Sequence, residues 1–187
     1  MADATGRTVL ALAREAVERY VATGVLAAPP PDLPPDLLQR SGVFVTLRAH
    51  GRLRGCIGTL APSCPTIAHE IIACAVAAAT RDPRFPPVRG EELAGLAYEV
   101  DIVGAIEAVT SPADLDPKRY GVLAEARGRR GVLLPDLEGV EDAAHQVDIA
   151  RAKAGLGENE PVALYRFQVR RLVEEGVRSR IQTAPDS

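Results

Sequence analysis

Cysteine is scarce in this chain and poorly spaced: three residues, at 56, 64 and 74, set apart as C-x7-C-x9-C. No C-x-x-C pair accompanies them, and no histidine follows at ligand spacing. Neither a disulfide frame nor a zinc site is therefore expected, and His50, His69 and His145 are too scattered to hold a metal. Aromatic residues make up 4% of the chain, tryptophan is missing, and the net charge is −3. So few stacking groups on a slightly acidic chain argue against nucleic acid as a partner. Long apolar runs are missing too. The most apolar stretch, Ile71 to Ala79, is too short to cross a bilayer and is mostly alanine. The first residues carry no basic stretch followed by an apolar one, so no signal peptide is expected. Free thiols without an export signal fit a reducing cytoplasm. No phosphate loop or dinucleotide fingerprint occurs, and no cofactor is expected.

What is present is an apolar fraction of 47% over 187 residues, enough for one domain or for two closely packed lobes. Val9, Leu12, Ala13, Ala16, Val17 and Tyr20 fall on one face of a helix that Gly24 stops. The proline-rich stretch 29–35 is a stiff loop. From Gly42 the period becomes two: Val43, Val45 and Leu47 alternate with Phe44, Thr46 and Arg48. A turn at Ala49-His50-Gly51 leads to a partner strand through Gly58 and Leu60. A second helix, Thr66 to Thr80, is apolar on nearly every side and should lie between layers. Leu96 to Ile102 reads as a strand. Tyr120 to Arg127 and Gly131 to Leu134 read as a hairpin joined across Gly128-Arg-Arg. Glu141 to Ala154 reads as a helix closed by Gly155, and Val162 to Val173 as a long strand. Residues 183–187 are expected to fray. The irregular order of helices and strands points to an α+β fold with a mixed or antiparallel sheet.

Chemistry concentrates in Arg54-Gly55-Cys56-Ile57-Gly58. Two glycines let a backbone bend and approach something closely. Positive charge from Arg48, Arg52 and Arg54 would lower the pKa of the Cys56 thiol. The plainer alternative is a small buried cysteine. Glycine weakens a strand, which tips the balance toward a site. Cys64 lies where a helix start could ionise it, and Cys74 belongs to packing. In Arg81-Asp82-Pro83-Arg84-Phe85-Pro86-Pro87 the prolines can fix Asp82 and Arg84 as ligand contacts, or Asp82 can simply cap a turn. Glu99 and Asp101 share a strand face, and a carboxylate there could accept a proton or pair with an arginine.

Taken in order, Gly42-Val-Phe-Val-Thr-Leu47, Gly51-Arg-Leu-Arg-Gly-Cys-Ile-Gly58, Asp82-Pro-Arg-Phe-Pro-Pro-Val88, Gly131-Val-Leu-Leu-Pro135 and Lys153-Ala-Gly-Leu156 resemble the AMMECR domain family. Prokaryotic members of that family are also called AmmeMemoRadiSam system protein A. The resemblance spans Leu12 to Glu175 and treats 1–187 as a single domain. It implies an α+β fold with a larger and a smaller lobe around a cleft, and a site lined by Leu53 to Gly58. It also implies partners: a Memo-type protein and a radical SAM enzyme. The chain departs from the family pattern at Asp136, where glutamine is usual, at Arg151, where a cysteine is common, and at Asp101.

Two functions follow as expectations. In the first, Cys56 is a nucleophile ionised by Arg54, Glu99 accepts its proton, and Arg84 holds an anionic group. In the second, Arg54, Gly55, Gly58, Asp82 and Arg84 bind a small ligand or a partner's segment without catalysis.

Overall fold

The computed structural model describes residues 4–157 and 160–174; the expectation for 183–187 lies outside them. The chain runs α1 (Ala4–Thr23), β1 (Val43–Ala49), β2 (Arg52–Gly58), α2 (Ile67–Thr80), β3 (Leu96–Ala108), β4 (Gly121–Ala126), β5 (Arg129–Leu133), α3 (Ala143–Lys153) and β6 (Ala163–Val173). Short 3-10 turns form at Pro35–Leu38, Gly90–Gly95 and Pro112–Asp114. Hydrogen-bonded neighbours follow the order β2-β1-β3-β6-β4-β5. β1 pairs antiparallel with β2 and β3, and β4 pairs antiparallel with β5 and β6. The fold is α+β with a six-stranded sheet, as the element order implies. Described residues up to Ile102, with Arg171 onward, form a larger compact unit, and Val103–Arg170 form a smaller one.

In the larger unit, β1 lies between β2 and β3, and its alternation decides which side chains meet the helices. Val43, Val45 and Leu47 are completely buried in one core with Val9, Ala13, Ala16 and Val17 of α1 and Ile71 and Ala75 of α2. Each large aliphatic side chain so buried contributes about 1.5–3 kcal/mol before chain entropy is charged against it. Phe44, Thr46 and Arg48 project to the other face of β1. The connection to β2 is a two-residue turn in which His50 (φ 52°) and Gly51 (φ 79°) both take left-handed backbone, the geometry that matches strand twist. α2 begins where its sequence says it should, with Thr66 outside the helix accepting the backbone N–H of His69 at 3.4 Å. Among the described residues no helix is long and apolar enough to cross a membrane.

The smaller unit has its own apolar cluster of Val122, Ala124, Leu133, Val140 and Ala150, where α3 packs on the β4–β5 hairpin. The expected link across Gly128-Arg-Arg is corrected. Arg127 (φ 50°) and Gly128 (φ 77°) make a two-residue turn, so Arg129 and Arg130 already belong to β5. α3 starts at Ala143, after Asp142 accepts the backbone N–H of His145 at 2.8 Å. β3 runs six residues past its expected end at Ile102, because backbone pairing carries a strand beyond the point where apolar alternation stops.

Candidate functional site

The Arg54–Gly58 segment lies on β2, an edge strand of the sheet. Its register with β1 is interrupted. Leu47 faces Gly55, yet Arg48 faces Leu53, so Arg54 is an extra residue that drops out of the alternation. Its guanidinium therefore goes to Glu92, with Nε and Nη2 at 2.7 and 3.0 Å from the two carboxylate oxygens. The arginine holds the Glu92 carboxyl below its ordinary range. The expectation that Arg54 ionises Cys56 is thereby corrected. That expectation assumed a regular strand, and the bulge sends Arg54 elsewhere.

The two glycines are occupied rather than open. A Cβ on Gly55 would collide with the carbonyl oxygen of Ala78 in α2, and one on Gly58 would enter the ring of Phe44. Their role is close approach: α2 seats its backbone against β2, and an aromatic ring crosses the strand.

Cys56 is half-buried. Its Sγ receives a hydrogen bond from Thr46 Oγ1 at 3.3 Å, directly across β1. Its amide donates to Asp82 Oδ2 at 2.8 Å, and its carbonyl accepts from Arg84 Nη2 at 3.4 Å. Asp82 and Arg84 thus give this edge residue the acceptor and donor that a neighbouring strand would supply. They can do so because Asp82-Pro-Arg-Phe85 is a tight turn. Phe85 N–H bonds Asp82 O at 3.1 Å, Pro83 occupies its second position, and Asp82 Oδ1 accepts the Arg84 backbone N–H at 3.0 Å. Arg84 also places Nε and Nη2 at 2.9 and 2.6 Å from the two oxygens of Asp82. That pair holds the Asp82 carboxyl far below its ordinary range despite burial.

Burial pushes the Cys56 thiol up. The Thr46 hydroxyl and Arg84 pull it down, the carboxylates of Asp101 and Glu99 push it up again, and the balance is a raised pKa. At neutral pH the side chain is a protonated thiol. Glu99 does not meet it, since Thr46 stands opposite both Cys56 and Glu99 in the register. Two strand spacings, roughly 10 Å, separate the two residues. Glu99 instead lies 3.1 Å from Arg171 Nε and 3.7 Å from Arg48 Nε. The buried Asp101 takes Arg171 in a two-pronged pair at 2.8 and 2.9 Å.

Sequence reasoning missed Thr46, Glu92 and Arg171. Thr46 was recoverable by placing the β1–β2 hairpin in register. Arg171 and Glu92 carry no local signal, because their partners are distant in the chain. Cys64 donates its amide to Glu70 Oε2 at 2.7 Å. Cys74 is buried, as expected, with its thiol on the Val43 carbonyl at 3.5 Å and its pKa pushed up by burial to about 12. Among the described residues no cluster of three or more His, Cys, Asp or Glu could hold a metal ion.

The family model described as AMMECR1 matches residues 10–172. A protein of Thermotoga maritima is 48% identical over 158 residues, covering 83% of this chain and 91% of its own length. A longer Clostridium acetobutylicum protein is 40% identical over 162 residues, which cover 86% of this chain and 34% of that protein. The crystal structure of an uncharacterised protein from Pyrococcus horikoshii superposes with a TM-score of 0.87 at 34% identity, covering 95% of each chain.

Proposed function

The chain belongs to the AMMECR1 family, and from that premise we propose that the β2 edge around Cys56 is a binding surface built on a protonated thiol, with no nucleophile in the resting protein. The observation that carries this reading is where the guanidinium groups go: Arg54 to Glu92 and Arg84 to Asp82. Burial, and behind it Asp101 and Glu99, raise the thiol pKa by more than the Thr46 hydroxyl and the already paired Arg84 lower it, so a thiolate at Cys56 would be a poorly compensated, half-buried charge. A neutral thiol beside the Thr46 hydroxyl is a small, weakly polar contact instead. The partners we propose for this surface are those that the sequence resemblance implies, a Memo-type protein and a radical SAM enzyme, and co-purification of the tagged chain with each is the direct check.

Iodoacetamide labelling of Cys56, followed by mass spectrometry across pH, tests the central claim. The expected apparent pKa lies above the ~8.5 of a free cysteine, with Cys56→Ser keeping whatever ligand or partner the native chain binds. An apparent pKa below that value, together with loss of function in Cys56→Ser, would restore a catalytic reading, with Arg84 taking the activating place expected of Arg54 from the sequence.

A further inference from the structure

Arg84 is held unusually firmly for a side chain that is 54% exposed. Its hydrogen bonds use Nε and Nη2, and among the described residues nothing takes the Nη1 hydrogens. The half-buried ring of Phe85 lies next to it, with the Arg84 and Arg54 guanidinium carbons 5.6 and 5.9 Å from the ring centroid. Arg54 Nη1 is buried with no hydrogen-bond partner among the described residues, so the ring face is the electron-rich group it has. The field here also differs from that of the whole chain. The segments 52–54 and 81–92 hold five arginines (52, 54, 81, 84 and 89) against three acids (82, 91 and 92), in a protein of net charge −3. An exposed guanidinium immobilised beside an aromatic ring has already lost the rotamer freedom that binding would otherwise cost.

We propose that Arg84 and Phe85 form a subsite for a small ligand carrying an oxyanion next to a flat or apolar group, the oxyanion on Arg84 and the flat part against Phe85. This rests on the reading of the β2 edge as a binding surface and names the chemistry of what it takes. Phosphate and carboxylate both present the oxyanion that the Nη1 hydrogens, left over once Asp82 has taken the fork, can meet with charge-assisted hydrogen bonds.

Nuclear magnetic resonance titrations of the full chain with inorganic phosphate, phenyl phosphate and benzoate, at constant ionic strength, read the subsite directly through the Arg84 side-chain Nε–H and the backbone amides of 82–88. Phenyl phosphate is expected to bind about tenfold tighter than inorganic phosphate, a ratio that the ring contact supplies. Phe85→Leu should erase that ratio while leaving inorganic phosphate unchanged. Arg84→Lys keeps the charge but loses the Nη1 donors and the two-point hold on Asp82, and should weaken both phosphates about tenfold. Arg40→Gln removes one exposed charge elsewhere and should change nothing. Benzoate matching phenyl phosphate identifies a carboxylate ligand, and benzoate failing identifies a phosphate; either supports the subsite. Equal affinities in the native chain, Phe85→Leu and Arg84→Lys, or shifts that follow ionic strength alone, overturn it. Because Cys56 alkylation is a separate measurement, the subsite and the protonated-thiol reading can fail independently.

Discussion

Asp82 is the residue on which the Cys56 edge turns. Its carboxylate accepts the Cys56 amide, the Arg84 amide and two guanidinium nitrogens, while 4% of the residue is exposed. Removing it leaves the amide of an edge strand unmatched and frees Arg84 to swing into solvent. Asp82→Ala should cost about 2–3 kcal/mol by urea unfolding, the lower end of a buried-pair loss because Arg84 stays hydrated. The sign with pH follows from a depressed carboxyl: its contribution is present above the unfolded pKa near ~4 and is lost as pH falls through the lower folded value. The stability gap between native chain and Asp82→Asn should therefore hold through neutral pH and close in strong acid; a gap that stays constant down to pH ~2 would count against the pairing. Gly55 teaches the opposite lesson about reading residues singly. From sequence its lack of a side chain looks like an opening for the thiol, whereas the space is taken by the Ala78 carbonyl. Gly55→Ala should cost at least about 3 kcal/mol and lower the melting temperature sharply, since the clash is with backbone that cannot turn aside.

Elements were legible where the signal is local. The period-two run of β1, the His50-Gly51 turn and the Thr66 start of α2 can all be read from neighbouring residues. What stayed hidden depends on register or on chain-distant partners: the bulge at Arg54, the tail of β3, and the pairing of Asp101 with Arg171. Glu70 is another such case. The first turn of α2, Ile67-Ala-His-Glu70, turns its carboxylate inward, where it accepts Thr59 Oγ1, Ser63 Oγ and the amides of Ser63 and Cys64 at 2.7–2.9 Å. Burial pushes that carboxyl up, but the donors from Thr59, Ser63 and Cys64 outweigh it and hold the pKa below its ordinary value. Glu70 thereby ties the chain leaving β2 to the helix that follows. Glu70→Gln removes the charge and turns an amide N–H₂ toward the Thr59 and Ser63 hydroxyls, which must then accept where they now donate, so the loop rather than the helix should loosen. Hydrogen exchange is the suitable measurement, with amides 59–64 expected to exchange faster while 70–80 keep their protection. Loss concentrated in α2 instead would contradict this role. Thr66→Ala is the contrasting change: it removes the cap together with the 2.8 Å contact to His69 Nδ1 and should cost about 1 kcal/mol with little effect on the loop.

For the molecule as a whole, the family assignment and α+β architecture were readable from motifs spread along the chain; the AMMECR1 match over 10–172 bears out the first, and the superposition on the Pyrococcus horikoshii structure the second. Which acids and bases the fold keeps neutral was not readable, because that depends on what surrounds them. The folded chain has an alkaline limit written into it: burial raises the pKa of Cys56, of Tyr98 and, to about 12, of Cys74. A group whose folded pKa is raised stabilises fully below its unfolded value, and the contribution disappears as pH rises through the folded one. For Cys74 that window runs from about 8.5 in the unfolded chain to about 12 in the fold. Cys74→Ala isolates the effect. At pH 7 the variant loses a buried sulfur and its contact with the Val43 carbonyl and should be about 1 kcal/mol less stable. As pH rises, the native chain alone carries the charge that its unfolded state prefers, a penalty of about 1.4 kcal/mol per pH unit. The two urea-unfolding curves should therefore cross near pH ~9.2, with the variant on the order of 2 kcal/mol more stable by pH ~11. The groups common to both chains cancel in the difference. Parallel curves throughout would mean that the Cys74 thiol ionises as readily in the fold as out of it, and would overturn the role given to its burial in the α2 core.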